Sequence, residues 1–545
     1  MKHFCILASA AMALAVGAFA QNSALPEEFT DGFFIQNEGW FGQATGSINW
    51  VDDAGTVYYN IDDKANGNVD VLGNTSEYGM VYGGYYYAMS KQAPRLVVLD
   101  ALTLKVVKSF ETIGGDSRAV LGVDDGKVYV GTSAGIFVLD VNADFSISEN
   151  AISGTEGQIG MMARVGKYVF AAKQSTGVLV IDPETDAVVA TIENSNICGL
   201  TVSRDGTVWA VAKSDIVRIN PVTLDNDIMA LPNKMVSPWG SWMVDKMCAD
   251  PDEDALYYAY GGSWTNSETH IGKLIINEEG TLSEDTDFAY IMPDAAIEGR
   301  KQILYGAIGI DPQSGYLIVT TTQDGYGANY AYNWLHYIDR KSGEVAKTVV
   351  MTSDTGDNYY WFPSIPVFPD IDAPEINLAD MTLTEGDIVT YAVTDYVADS
   401  DNMPALAVAD VVSDDMGVVA VEDNNGFAFT AVAMHEGEAS LTVTVNSNGQ
   451  VEEKVINVEV LPNTVSVSDN LISTINVYPT TVATSLNVKG VDDGTVAVYN
   501  MSGAIVAMHD LCNGSTIDLG GLIPGTYIVK IVSGKDIKVV KILKL

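Results

Sequence analysis

"GVLVIDPETDAVVATI", residues 177–192, decides the fold. An apolar run rich in β-branched residues stops at Asp182, a polar turn follows, and a second run starts at Ala187. The same rhythm returns in "RLVVLDALTLKVVKSF" at Asp100, in "GIFVLDVNA" at Asp140, in "DIVRINPVTL" with Asn220 in that place, and in "LHYIDRKSGEVAKTVV" at Asp339. The first four recur at about forty residues, the period of a repeat architecture. Asp or Asn at the head of a turn bonds backbone amides two residues on. Each unit divides into four short strands. The fifth unit reads "NICGLTVSRDG", "TVWAVAKS", "DIVRINP" and "NDIMALP", and the third reads "SRAVLGVDDG", "KVYVGTS", "GIFVLDV" and "SENAIS". Asp-Gly marks the tight first hairpin in both. Four-stranded units at this period are propeller blades, and helical periodicity is missing.

The ring closes on a count of seven. Residues 30–62 supply strands B, C and D of a blade that lacks strand A, and "YYWFPSIPVFPD" at 359–370 supplies one lone strand to complete it. The fold class expected is all-β: a seven-bladed β-propeller over 27–370, an Ig-like β-sandwich over 374–462, and a small C-terminal β-sandwich over 475–545. The sandwich rests on alternation in "ASLTVTVNS" and "EKVINVEVL", and "PDIDAPEI" reads as the linker before it.

The chain has 545 residues and a net charge of −42, which repels phosphate backbones and excludes nucleic acid as a partner. "MKHFCILASAAMALAVGAFAQ" has a basic start, a short apolar run and Ala-Phe-Ala at 18–20, so residues 1–20 read as a signal peptide. Cys5 precedes that run, so it is not a lipobox cysteine. Cys198, Cys248 and Cys512 remain, too widely spaced for a metal knuckle, and read as buried free thiols.

Two resemblances follow from these segments. "VYP" at 477–479, "LNV" at 486–488, "VAVYNMSGAIV" at 496–506, "LIPGTYIVKI" at 522–531 and the terminal "KVVKILKL" resemble the type IX secretion sorting domain of Gram-negative bacteria, with Thr480 where Asn is usual. That resemblance implies export, with the type IX machinery as partner and a secreted or outer-membrane-surface location. "FFIQNEGWFG" at 33–42, the "VVLDALTLKVV" repeats and "YWFPSIPVFPD" resemble YncE-like, surface-layer-type seven-bladed propellers. Some similar secreted members capture cobalamin and pass it to an outer-membrane transporter, which implies such a transporter as a partner. Those are generally lipoproteins, and this chain lacks the lipobox.

Strand direction sorts the loops. B–C hairpins and D–A connections share one face of the ring, and A–B and C–D turns share the other. The first face receives Trp40 and Phe41 from blade one, Trp239, Trp242 and Trp264 from blade six, Tyr326 and Tyr330 in "GYGANYAYNW" from blade seven, and Tyr360 and Trp361 before the closing strand. Blades two to four add Lys91, Gln92, Arg118, Gln158, Lys173 and Gln174; "SKQ" at 90–92 and "AKQ" at 172–174 hold the same B–C position two blades apart. Rings and amides converging on a concave face form the usual binding-site pattern. The ligand-binding set expected is therefore Trp40, Phe41, Lys91, Gln92, Arg118, Gln158, Lys173, Gln174, Trp239, Trp264, Tyr326, Tyr330 and Tyr360. Trp242, Trp334 and Trp361 read as packing residues.

Catalytic patterns are weak. "GTSAG" at 131–135 has the G-x-S-x-G spacing, but Ser133 falls in a B–C hairpin with no helix after it. His336 reads as a packed imidazole, and His270 alone makes no triad. "DPDED" at 250–254 and "DSDN" at 399–402 lack EF-hand spacing and read as solvated acidic turns rather than calcium sites. No catalytic residue, metal or cofactor is expected. The function expected is non-enzymatic capture of a small or medium ligand. A corrinoid, flat, amide-rimmed and carrying one phosphate, suits rings, Gln and Lys/Arg together. Glycan stacking is the alternative binding reading. A lyase or glycosidase is the enzymatic one, with Glu38, Asp116, Glu156 and Glu298 as its candidate carboxylates.

Overall fold

The computed structural model describes residues 25–195, 197–235, 246–262, 268–295, 297–304, 306–325, 327–351, 363–463, 475–512, 514–534 and 536–545. They form two compact units, 1–462 and 463–545. Among them no helix is long and apolar enough to cross a membrane.

The first unit holds seven antiparallel sheets in sequence order, a β-propeller. Blade four shows how composition sets each strand's place. Its strands B and C, Tyr168–Lys173 and Gly177–Asp182, are buried on both faces and read as continuous apolar runs. Strand D, Ala187–Glu193, lies at the rim and alternates with solvent. A strand sandwiched between neighbouring blades must be apolar throughout, and a rim strand only on one side.

The repeated Asp makes the turn that its chemistry predicts. Oδ1 of Asp100, Asp140, Asp182 and Asp339 accepts a backbone N–H two or three residues on, at 2.8 to 3.1 Å, and Asn220 does the same for Val222 and Thr223. In blade three the fourth strand is Ser146–Ile147, not the expected "SENAIS". Ser148 Oγ accepts the Val138 N–H at 3.0 Å, so a side chain takes over the ladder bond and the regular strand stops.

Ring closure follows the expected route. Pro363–Val367 pairs antiparallel with Gly32–Asn37 as the innermost strand of blade one. It is tied to both flanks: Ala307 N donates to Ser364 O at 2.8 Å, and Ser364 Oγ donates to Glu77 O at 2.9 Å. Gln36, fully buried, joins blades one and two. Its Nε2 donates to Ser76 Oγ (2.9 Å) and Tyr78 O (2.7 Å), and its Oε1 accepts the Tyr86 hydroxyl (2.9 Å).

Residues 375–461 build a sandwich of a four-stranded sheet, containing Gly437–Ser447 and Gln450–Leu461, and a three-stranded one, containing Ala428–Ala433. It seats on the A–B face of the ring. Asn448 accepts the Gly83 N–H at 3.0 Å and donates its Nδ2 to Val81 O at 2.9 Å. Phe427 sits at the turns holding Gly166 and Gly206, both left-handed (φ 52° and 84°). A Cβ on Gly166 would meet Phe427 at 2.7 Å and one on Gly206 at 2.5 Å, so glycine serves both the turn and the docking. Between ring and sandwich lies a cavity of about 350 Å³, lined by inner-strand ends such as Val123 and Val202 and by Asp370, Asp401 and Asn446.

The second unit pairs a three-stranded sheet with a five-stranded one around Val496, Val498, Val529 and Ile531. Cys512 is exposed there, contrary to the buried thiol expected, because it ends the sheet's edge strand Ile505–Cys512, whose alternate residues face solvent. Cys248 is half-buried and outside any disulfide among the described residues.

Candidate functional site

The inner strands begin on the B–C face, and their first residues are polar. Glu77, Arg118, Lys246 and Gln302 are each 4–5% exposed at the starts of blades two, three, six and seven. The first two are paired across the blade boundary. Arg118 Nη1 meets Glu77 Oε2 at 3.1 Å, and Nη2 meets Asp116 at 3.4 Å. Lys91 Nζ contacts the other Glu77 oxygen. Asp116 also takes Arg95 at 2.9 Å. Burial lowers the Arg118 guanidinium pKa while Glu77 opposes that shift. The sequence reading set Arg118 toward a ligand. In the fold its charge meets a carboxylate of the preceding blade, a partner forty-one residues away that no local pattern announces.

A loop with an exposed ring stands beside this cluster. Gly42 N donates to Gln92 Oε1 at 2.6 Å, and Asn74 Nδ2 donates to Trp40 O at 3.3 Å, so the blade-one hairpin is fastened to blade two. Phe41 is 63% exposed on it, and Trp40 is half-buried. The two matching tripeptides occupy equivalent places: Gln92 N donates to Asn74 O (3.1 Å), and Gln174 N donates to Gln158 O (3.0 Å). Lys173 Nζ donates to Gly154 O at 2.9 Å. In blade seven a short 3-10 helix, Gly327–Ala331, carries Tyr330, which is half-buried, with its carbonyl accepting Asn333 Nδ2 at 3.2 Å. Trp334 opens strand C of that blade and is buried. Trp239, Trp264, Tyr326 and Tyr360, like Trp242 and Trp361, lie outside the described residues. The fold thus brings together Trp40, Phe41 and Gln92, and separately Lys91 and Arg118 on Glu77. Gln158, Lys173 and Gln174 form a third group in blade four.

The residues of the catalytic patterns take the following places in the fold. Ser133 lies in the two-residue turn between strands Lys127–Thr132 and Gly135–Asp140, where Oγ accepts the Asp116 N–H at 2.8 Å. His270 is half-buried and stacks on Tyr260. His336 is buried. Its Nε2 lies 2.7 Å from Gln302 Oε1, and its Nδ1 lies 2.9 Å from Thr348 Oγ1. A carbonyl oxygen only accepts, so Nε2 carries the proton and Nδ1 accepts from Thr348.

Burial lowers the His336 pKa from 6.5 to about 4. The unfolded chain therefore takes up a proton near pH 6.5 that the folded chain refuses until about pH 4. This imidazole alone is expected to cost about 3 kcal/mol as pH drops through that window, against the raised carboxyls, which act the other way. Urea unfolding at both ends of the window should show the natural chain losing about that much relative to His336→Gln, a difference in which the shared carboxyls cancel.

The opposite face holds a cluster that sequence reading assigned to solvent. Asp399 and Asp401 of "DSDN" meet Asp370 beside the cavity. Burial first, then the charges of Asp401 and Asp399, push the Asp370 carboxyl up to about 9. Burial raises Asp399 to about 6. The signal available in sequence was a pair of acidic D-x-D runs, "DID" at 370–372 and "DSD" at 399–401, on either side of a short segment.

The family described as Domain of unknown function (DUF5074) matches residues 31–369. The Secretion system C-terminal sorting domain matches residues 476–544, so the protein is secreted or displayed at the cell surface. No curated protein matches the chain. Solved structures similar to it include a quinonprotein alcohol dehydrogenase-like protein from Bacteroides thetaiotaomicron, 18% identical, covering 61% of this chain and 77% of that one at a TM-score of 0.45. PorZ of Porphyromonas gingivalis, a surface component of the type-IX secretion system, is 11% identical and covers 91% of this chain and 90% of its own at 0.33. Apo AztD from Citrobacter koseri is 16% identical, covering 68% and 91% at 0.38.

Proposed function

The chain belongs to the family described as Domain of unknown function (DUF5074), and from that premise we propose that its propeller is a non-catalytic binding module for a small or medium-sized ligand taken on the B–C face. The observation that carries this reading is Phe41, 63% exposed on a hairpin that Gln92 and Asn74 pin in place. A large ring held out to solvent by polar fastenings is costly without a partner. Beside it stand the Gln92 amide and the Lys91–Glu77–Arg118 cluster. Such a face offers stacking, amide hydrogen bonds and a cation together, which suits a corrinoid: a flat macrocycle with amide arms and one phosphate. An outer-membrane transporter that receives the ligand is the partner this reading implies. The absence of catalysis is supported by His336, locked in a neutral network, and by Ser133, held in a hairpin.

The mature chain should be incubated with cobalamin, desalted and read by its visible spectrum. Retained colour, with the recovered ligand unchanged by mass spectrometry, is the expected result. No colour at micromolar protein removes the corrinoid, and altered ligand removes the non-catalytic reading. Phe41→Ala should weaken binding at least about tenfold while stability stays within about 0.5 kcal/mol, because the ring is exposed. A fall in melting temperature of several degrees would mark Phe41 as packing instead.

A further inference from the structure

We propose that Asp370, Asp399 and Asp401 form a calcium site that staples the ring's closing strand to the sandwich. Asp370 follows Pro363–Val367, the strand that completes blade one. Asp399 and Asp401 follow the short sandwich strand Val397–Ala398. One oxygen from each carboxylate lies within 4.8 Å of the others. Oxygens that share an ion at about 2.4 Å can lie no farther apart than about 4.8 Å, so the spacing admits a common cation.

Hydrogen bonding has already sorted the oxygens. Asp399 Oδ1 accepts the Asp401 N–H at 3.2 Å. Asp401 Oδ2 accepts the N–H groups of Ile371 (2.8 Å) and Asp372 (3.0 Å). What remains is Asp370 Oδ1, Asp399 Oδ2 and Asp401 Oδ1, each buried and without a hydrogen-bond partner. Asp370 is only 8% exposed. Buried polar atoms find partners as a rule, and three orphaned carboxylate oxygens at one place require an explanation. Among the described residues, no Lys or Arg forms an ion pair with any of the three. A set made only of oxygen selects a hard cation. Calcium suits it better than magnesium, because it accepts six to eight oxygens in irregular geometry, whereas magnesium demands a near-ideal octahedron. The adjoining cavity, which Asp370, Asp401, Asn446 and Asn448 also line, leaves room for water and amide oxygens to complete the shell.

The site lies on the face opposite the proposed ligand site, so either can fail without the other. The test uses the full mature chain, stripped with EGTA. Calcium at about 5 mM, above the Kd of extracellular modules, should raise the melting temperature by several degrees, and magnesium should do so by less than half as much. Terbium luminescence excited through tyrosine should titrate and be displaced by calcium. Asp370→Asn and Asp399→Asn, with unchanged circular dichroism, should each lose the calcium shift and at least about tenfold in terbium affinity. In EGTA, Asp370→Asn should melt no lower than the natural chain, because the cost of burying a carboxyl beside two others is gone. Calcium should also protect the 371–374 linker from proteolysis. Absence of both the melting shift and the terbium signal in the natural chain overturns the proposal and leaves a proton as what the carboxylates share. A calcium shift that survives Asp370→Asn overturns it equally, by placing the ion elsewhere.

Discussion

Phe34→Ala is expected to destabilise the ring by about 3–5 kcal/mol, measured as a lower urea midpoint at unchanged m-value. Phe34 is fully buried on strand B of blade one, where it pairs with Trp50 on one side and Val367 of the closing strand on the other. Its ring lies 4.6 Å from Trp50, 5.1 Å from Tyr86 of blade two and 5.8 Å from Phe29. Truncation to alanine removes the ring on which three others pack, at the one joint where the two ends of the propeller meet. Three large side chains cannot collapse into the vacancy without moving the segments that carry them, so the cavity persists and the cost lies at the upper end for aromatic deletions. A measured loss under about 1 kcal/mol would mean that this joint is not where ring closure draws its stability. The exposed Phe41, seven residues on in the same chain segment, serves as the internal control, because its removal changes almost no buried area.

What the sequence disclosed, and what it withheld, follows the range of the forces involved. The strands and their turns were legible because their causes are local. Asp182 makes its own turn, and an apolar run such as Val208–Ala212 states that both faces are covered. Closure was legible too, since an orphan strand at one end matched a missing strand at the other. The limits appear where a side chain overrides the backbone, as Ser148 does in blade three, and where partners are distant. Arg118 and Glu77 are remote in sequence, so the reading of Arg118 as a ligand-facing group did not include its carboxylate partner. "DSDN" read as a solvated turn because its third carboxylate, Asp370, comes from across the linker. The proposed binding face was read from the sequence as a side of the ring. Phe41, Gln92 and Tyr330 stand on B–C connections, while several of the aromatic residues assigned beside them lie outside the described residues.

Replacing Arg118 separates structure from binding at that face. Arg118→Met is expected to cost about 3 kcal/mol or more, because Glu77, 5% exposed, keeps its charge while losing a guanidinium at 3.1 Å. Lys91 remains on the other Glu77 oxygen and holds the loss toward the lower end of the range for broken buried pairs. The double variant Glu77→Gln with Arg118→Met should recover most of the stability, since a buried pair removed as a whole costs little once its desolvation is also relieved. Thermal melts of the two single variants and the double variant give the coupling directly. A double variant no more stable than Arg118→Met would show that Arg118 supports the fold through Asp116 rather than through Glu77. Once the fold is restored, ligand retention in the double variant reports on binding alone. Colour kept at natural affinity makes the pair a brace for the inner strands of blades two and three. Colour lost from a chain that melts normally places the Arg118–Glu77 pair against the ligand itself.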